Sequence, residues 1–138
     1  NMAPAQIEAA VRDACPLVGH VCAIGEGQVF VTALVTLDSL MVAAFAEKHG
    51  TDFARPGWHL RPALEAAIAA GIGRANRRLA RVEQPKRFRI LDVEWLPGSD
   101  ELTQTQKLRR GRIAEKYAAE IEDLYHARAN GRWLLPNA

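Results

Sequence analysis

The sequence has only two cysteines, Cys15 and Cys22, among its 138 residues. Their spacing matches no zinc-ligand pattern and no second pair completes one, so they read as buried or half-buried thiols in a reducing compartment. The four histidines, His20, His49, His59 and His126, are scattered, and none pairs with a neighbouring Cys, Asp or Glu as metal ligands do. No apolar run is long enough to span a bilayer and no signal-peptide pattern opens the chain, which predicts an intracellular, cytoplasmic protein. No glycine-rich Ser/Thr phosphate loop occurs, nor an internal repeat or a low-complexity tract. The net charge of +2 is too small to point to a nucleic-acid partner.

What is present is an ordinary globular composition, 49% apolar and 25% charged, in a length suited to one domain with a modest core. The charge is uneven. Lys107, Arg109, Arg110, Arg112 and Lys116 crowd one window, and Arg74, Arg77, Arg78, Arg81, Lys86, Arg87 and Arg89 crowd another.

Periodicity divides the chain into a few elements. "NMAPAQIEAAVRDAC" predicts a helix with Pro4 in its first turn and Ile7, Val11 and Ala14 on one stripe. Apolar and β-branched residues on both sides of "GEGQ" predict a β-hairpin, with strands from about Val18 to Ile24 and Val29 to Leu37. The second strand is apolar on both faces and is expected at the centre of the sheet. Asp38 or Ser39 caps a helix carrying Leu40, Met41, Ala44 and Phe45, which Gly50 ends.

A loop with Pro56 and Gly57 follows. A long helix from His59 to Gln84 has the stripe Leu64, Ala67, Ile68, Ile72, Ala75, Leu79 and Val82, weakened at Gly71 and Gly73, with its arginines on a solvated face. Pro85 stops it. "KRFRILDVEWL" reads as a strand with Phe88, Ile90 and Val93 on one side and an alternation that slips near Asp92. After the loop "PGSDELTQTQ", a final amphipathic helix turns Ile113, Tyr117, Ile121, Leu124 and Tyr125 inward. The tail carries an apolar Trp133-Leu134-Leu135. The order gives an α+β domain, a small sheet including a hairpin with helices packed on it.

Four strings carry a resemblance. They are "NMAPAQIE" at 1–8, "VCAIGEGQVFVTALVTLD" at 21–38, "ANRRLARVEQPKRFRIL" at 75–91 and "LTQTQKLRRGRIAEKY" at 102–117. In this order they resemble the C-terminal domain of adenylate-forming enzymes, and within them the long-chain fatty acyl-CoA synthetases. The last string is similar to that family's Leu-Thr-Pro-Thr-x-Lys-Leu-Lys-Arg segment, with Gln104 where the family has proline, which removes a stiffening residue from the loop.

The resemblance covers residues 1 to about 126 and implies a lid domain over 1–128 with a tail at 129–138. It implies that Lys107 is the catalytic adenylation lysine, that ATP, Mg2+ and CoA serve the full-length enzyme, and that the partner is the N-terminal adenylation domain of the same chain. That larger domain would hold most of the ATP site, the acyl tunnel and the metal ligands. The abrupt start at "NMAP" reads as a cut, with the hinge and the CoA-facing loop upstream of it. A fragment of this kind is expected to be inactive alone, to bind none of these molecules tightly, and to belong to a cytoplasmic enzyme with peripheral membrane association.

For the other cations, the resemblance admits Lys86 and Arg87 as contacts to the CoA phosphates and Arg110 as a phosphate contact or a fastener to the large domain. The plainer reading has Arg109, Arg110 and Arg112 solvating the start of the last helix, although positive charge there opposes its dipole. Two other functions stay open. "QKLRRGR" with the arginine-rich helix would make a nucleic-acid surface, though "KRFRIL" offers only Phe88 for stacking. Trp133, Leu134 and Leu135 would make a sticky tail for protein interaction.

Overall fold

The computed structural model describes residues 3–49, 60–126 and 133–138. The expected stop at Gly50, the Pro56–Gly57 loop, the helix start at His59 and the beginning of the tail lie outside the described residues.

Helix α1 (Pro4–Ala14) leads into strands β1 (Val18–Ile24) and β2 (Thr32–Leu37), then helices α2 (Ser39–Lys48) and α3 (Leu60–Asn76). A 3-10 turn at Arg81–Glu83 precedes β3 (Arg87–Ile90), and α4 (Arg110–Lys116) and α5 (Ala118–Leu124) complete the order. β1 pairs antiparallel with β2, and β2 pairs parallel with β3, so β2 is the central strand as its two-faced apolarity predicts. Neighbouring residues of β2 point to opposite sides. Ala33 and Val35 join Val11, Ile68, Ile72 and Phe88 beneath α1 and α3. Leu34 joins Trp95, Leu102, Ile113 and Leu124 under α4 and α5. The protein is thus a sheet with a helical layer on each face, and the segment bearing Lys107 belongs to the second layer.

Several boundaries differ from expectation, each for a local reason. The second strand starts at Thr32 rather than Val29, which is 89% exposed. Tyr125 reaches into the hairpin instead. Its hydroxyl faces the carbonyls of Phe30 at 2.8 Å and Ile24 at 3.2 Å and accepts from the Thr32 hydroxyl at 3.1 Å. The single hydroxyl proton goes to the nearer carbonyl, that of Phe30, which a side chain rather than a strand ladder thereby satisfies.

In α2 the Asp38 carboxylate accepts the Met41 amide at 3.0 Å. The phase this cap sets packs Val42, Phe45 and Ala46 and leaves Leu40 and Met41 exposed, contrary to the expected stripe. Helix α3 ends at Asn76, not Gln84, and Val82 is exposed. The Gln84 carboxamide turns back to donate to the carbonyls of Asn76 and Leu79 at 2.8 and 3.1 Å, bracing the turn that follows the helix. The third strand is only four residues long, and Val93 is exposed.

The predicted single final helix breaks at Tyr117 into α4 and α5. Ile113, Tyr117 and Leu124 are buried as expected. Of the apolar tail, Trp133 and Leu134 are packed into the body, Leu134 bridging Phe88, and only Leu135 is exposed.

The glycines of α3 are sites of close approach. A Cβ at Gly71 would lie 2.6 Å from the Cys15 Cβ, and one at Gly73 would lie 2.7 Å from the Asn137 carbonyl oxygen. The arginines of this helix end are not merely solvated. Arg74 donates to the Ala14 carbonyl at 2.9 Å and Arg78 to that of Ala10 at 3.4 Å, both at the C-terminal end of α1.

Candidate functional site

Lys107 stands on a narrow ribbon folded from residues 101–109. Leu102 faces Leu108 across it. The Arg109 amide donates to the Glu101 carbonyl at 2.8 Å, and the Thr103 amide donates to the Lys107 carbonyl at 2.9 Å. The Lys107 amide in turn donates to the Thr103 hydroxyl at 3.0 Å, so Thr103 holds both main-chain polar groups of the lysine.

The chain turns back through Gln106, whose φ of 64° lies in the left-handed region. A non-glycine residue there is held by its surroundings: the Gln106 amide donates to the Thr103 carbonyl at 3.0 Å. Gln104 folds over Gly98, where an added Cβ would lie 2.5 Å from its Nε2. Lys107 is exposed, and its ammonium has no partner among the described residues.

The neighbouring cations are differently placed. Arg110 forms a two-pronged pair with Glu8 of α1, its two terminal nitrogens 2.7 and 2.6 Å from the two carboxylate oxygens. Glu8 is buried and also accepts the Ala23 amide at 2.8 Å. Hydrogen bonding to Glu8 raises the Arg110 pKa above its already high ordinary value. Arg112 lies 3.7 Å from Asp100, and Lys116 lies 3.5 Å from Asp100 and 2.8 Å from Glu101.

Arg87 lies over the Trp133 ring at 4.0 Å and near Phe30 at 5.0 Å. It donates to the carbonyls of Leu124 and His126 at 2.8 and 3.1 Å, which ties the end of α5 and the tail to β3. The Lys86 ammonium reaches the Arg81 carbonyl at 3.4 Å. Of the four predicted site residues, Lys107 projects from the ribbon, Arg110 is paired with Glu8 of α1, and Arg87 is bonded to the end of α5. Lys86 lies apart at the 3-10 turn. The structure does not gather them into one cluster.

The sequence reading missed the residues beneath the ribbon. Glu101 is buried, and its carboxylate accepts the Tyr117 hydroxyl at 2.6 Å and the Lys116 ammonium at 2.8 Å. The Trp95 indole donates to the same tyrosine oxygen at 3.1 Å. Burial opposes the charge on Glu101, but the bonds from Lys116 and Tyr117 outweigh it and hold its carboxyl below the ordinary range. Burial, then the bond to Glu101, raises the Tyr117 phenol. Nothing in the composition of "SDELT" marks Glu101 as buried, because glutamate is seldom so unless paired. Tyr117 was legible as an inward residue, but its partners were not.

The thiols of Cys15 and Cys22 are free and buried, as read from the sequence. Burial raises both, and with the charge of Glu8 it pushes Cys22 up to about 11. No group of three or more His, Cys, Asp or Glu among the described residues could hold a metal ion. No helix among them is long and apolar enough to cross a membrane.

Comparison with known proteins bears on this arrangement. Residues 1–129 match the family described as AMP-binding enzyme C-terminal domain. The chain is 49% identical over 125 residues to a putative fatty-acid–CoA ligase of Mycobacterium tuberculosis, covering 91% of this chain and 22% of that protein. It is 33% identical over 128 residues to a long-chain-fatty-acid–CoA ligase of the same organism, covering 91% and 21%. The chain therefore spans about a fifth of the length of these relatives. The adenylation domain of a carboxylate reductase from Mycobacterium chelonae superposes with a TM-score of 0.67 at 22% identity, over 88% of this chain and 17% of that one. That likeness establishes the α+β fold alone.

Proposed function

The chain belongs to the AMP-binding enzyme C-terminal domain family, and from that premise we propose that it is the mobile lid of a long-chain-fatty-acid–CoA ligase, with Lys107 as its adenylation lysine. In this reading the lid is residues 1–128 and the tail is 129–138, of which Trp133 and Leu134 pack on the body. The N-terminal adenylation domain of the same protein is its partner, and the whole enzyme is cytoplasmic and peripheral to membranes.

One observation carries the proposal. Lys107 is an exposed ammonium without a partner among the described residues, and its own main-chain N–H and C=O are both bonded to Thr103, while Arg110, Arg112 and Lys116 around it are paired with carboxylates of the domain itself. A long side chain presented in this way suits delivery of one positive charge to a site on another body.

The reaction gives that charge its task. A fatty-acid carboxylate oxygen attacks the α-phosphorus of ATP, the bond to pyrophosphate breaks, and acyl-adenylate forms. Negative charge crowds at the in-line transition state, and the Lys107 ammonium neutralises part of it without giving up a proton. In the second step the CoA thiol loses its proton and attacks the acyl carbon, and AMP leaves. A lid that swings withdraws the lysine between the two steps. No group of three or more His, Cys, Asp or Glu among the described residues could hold magnesium. Arg87, Arg110 and Lys86 already have acceptors within the domain, and they are secondary in this reading. The same internal commitments subtract from any continuous basic face for nucleic acid.

The test uses the full-length enzyme. Lys107→Ala is expected to slow acyl-adenylate formation about a hundredfold or more, and to leave conversion of supplied acyl-adenylate to acyl-CoA largely intact. Arg109→Ala is the control. Equal losses in both half-reactions refute the assignment.

A further inference from the structure

We infer that Glu101 and Tyr117 are positioning residues for Lys107, fixing the direction in which the ribbon presents it. The inference rests on the lysine assignment above and adds to it the device that aims the side chain.

Residues 104–107 form the exposed tip of the ribbon, with Gln104 over Gly98 and Gln106 beside His20. Those contacts hold side chains of the tip, while the two rungs that carry the Lys107 main chain are fixed at the base. Leu102, fully buried, fixes how deep the base sits, but an apolar contact is not directional. Direction comes from Glu101. Its side chain points inward to Tyr117 at 2.6 Å and Lys116 at 2.8 Å, while its carbonyl forms the ribbon rung to the Arg109 amide. One residue is thus bonded to the interior through its side chain and to the ribbon through its main chain. The adjacent rung is the Thr103–Lys107 pair.

Tyr117 is itself oriented. Trp95, also buried, donates to its oxygen at 3.1 Å, and the helix breaks at this residue so that α4 and α5 both start or end on it. A buried carboxylate with a cation adds little net stability compared with an apolar replacement. Its hydrogen bonds do select one geometry, which is what a charge aimed at a transition state requires.

The experiment compares Tyr117→Phe and Glu101→Gln with Lys107→Ala in the full-length ligase, and Glu115→Gln, at an exposed position of α4, as a control. Tyr117→Phe keeps the ring and removes the hydroxyl. It should slow acyl-adenylate formation about tenfold at saturating substrates, with KM for ATP nearly unchanged and the thioester step from supplied acyl-adenylate at the parental rate. In a Lys107→Ala background it should cause no further loss, because the aimed group is already gone.

A purely structural role predicts the opposite: equal slowing of both half-reactions, or the same tenfold loss on top of Lys107→Ala. Either of those, or a parental adenylation rate in both variants, overturns the inference. If Tyr117→Phe does not melt as a folded protein, Glu101→Gln carries the same comparison. Full adenylation by Lys107→Ala would overturn the lysine assignment as well, and so separates the two failures.

Discussion

Replacing Arg110 with methionine removes both of its donors from Glu8 and leaves a carboxylate that is 4% exposed facing one amide, that of Ala23. Stripping a buried pair of one partner costs about 3–5 kcal/mol. The Arg110 side chain is itself 44% exposed, so water enters the vacated space and recovers part of that, and the expected loss is about 2 kcal/mol. An unfolding entropy of about 2.1 cal/mol/K per residue gives this chain roughly 0.3 kcal/mol per degree, so Tm should fall by about 7 °C.

Urea denaturation of the chain followed by circular dichroism reads the same change as a shift in midpoint at constant slope. The companion variant is Glu8→Gln with Arg110→Met. It removes the stranded charge while keeping an oxygen for the Ala23 amide, and should recover at least about half of the loss. A single variant within about 0.5 kcal/mol of the parent, the worth of a surface pair, would refute the reasoning. So would a double variant no more stable than the single. Either result would return Arg110 to the pool of cations available for a phosphate.

Gly71→Ala should destabilise by about 1–3 kcal/mol in the same assay despite the better helix propensity of alanine, because the new Cβ meets Cys15 at 2.6 Å; a more stable variant would contradict the packing. The depressed carboxyl of Glu101 implies stability that is present above the ordinary carboxylate value of 4.5 and lost as pH falls through the lower folded value. Glu101→Gln should therefore flatten the stability–pH curve below about pH 4.5, and an unchanged acid limb counts against the pairing. The 138-residue chain alone should melt in one cooperative transition yet release no pyrophosphate from palmitate, ATP and magnesium above background, and clear turnover would sink the lid reading.

The α+β class, the central place of β2 and the inward set Ile113, Tyr117 and Leu124 were all legible from local pattern. Strand and helix periods depend on nearest neighbours along the chain, and the strings that resemble acyl-CoA synthetases are contiguous. The misread boundaries share a different origin. The hairpin opens at Phe30 because Tyr125, far along the chain, satisfies its carbonyl. The α3 helix stops where Gln84 folds back on it. Both choices were made by hydrogen bonds between residues that no periodicity connects.

The basic residues show the same division. Composition marked Arg87 and Arg110 as cations without telling that both are engaged within the domain. One is held between Trp133 and the end of α5, the other on a buried glutamate from the first helix. Glu8 and Glu101 read as surface acids because a carboxylate is stable in water, and its burial is tolerated only when partners converge on it from elsewhere in the chain. That convergence is a property of three dimensions. Sequence specified which groups could carry charge; the tertiary structure decided which charges are spent inside the domain and left Lys107 facing outward.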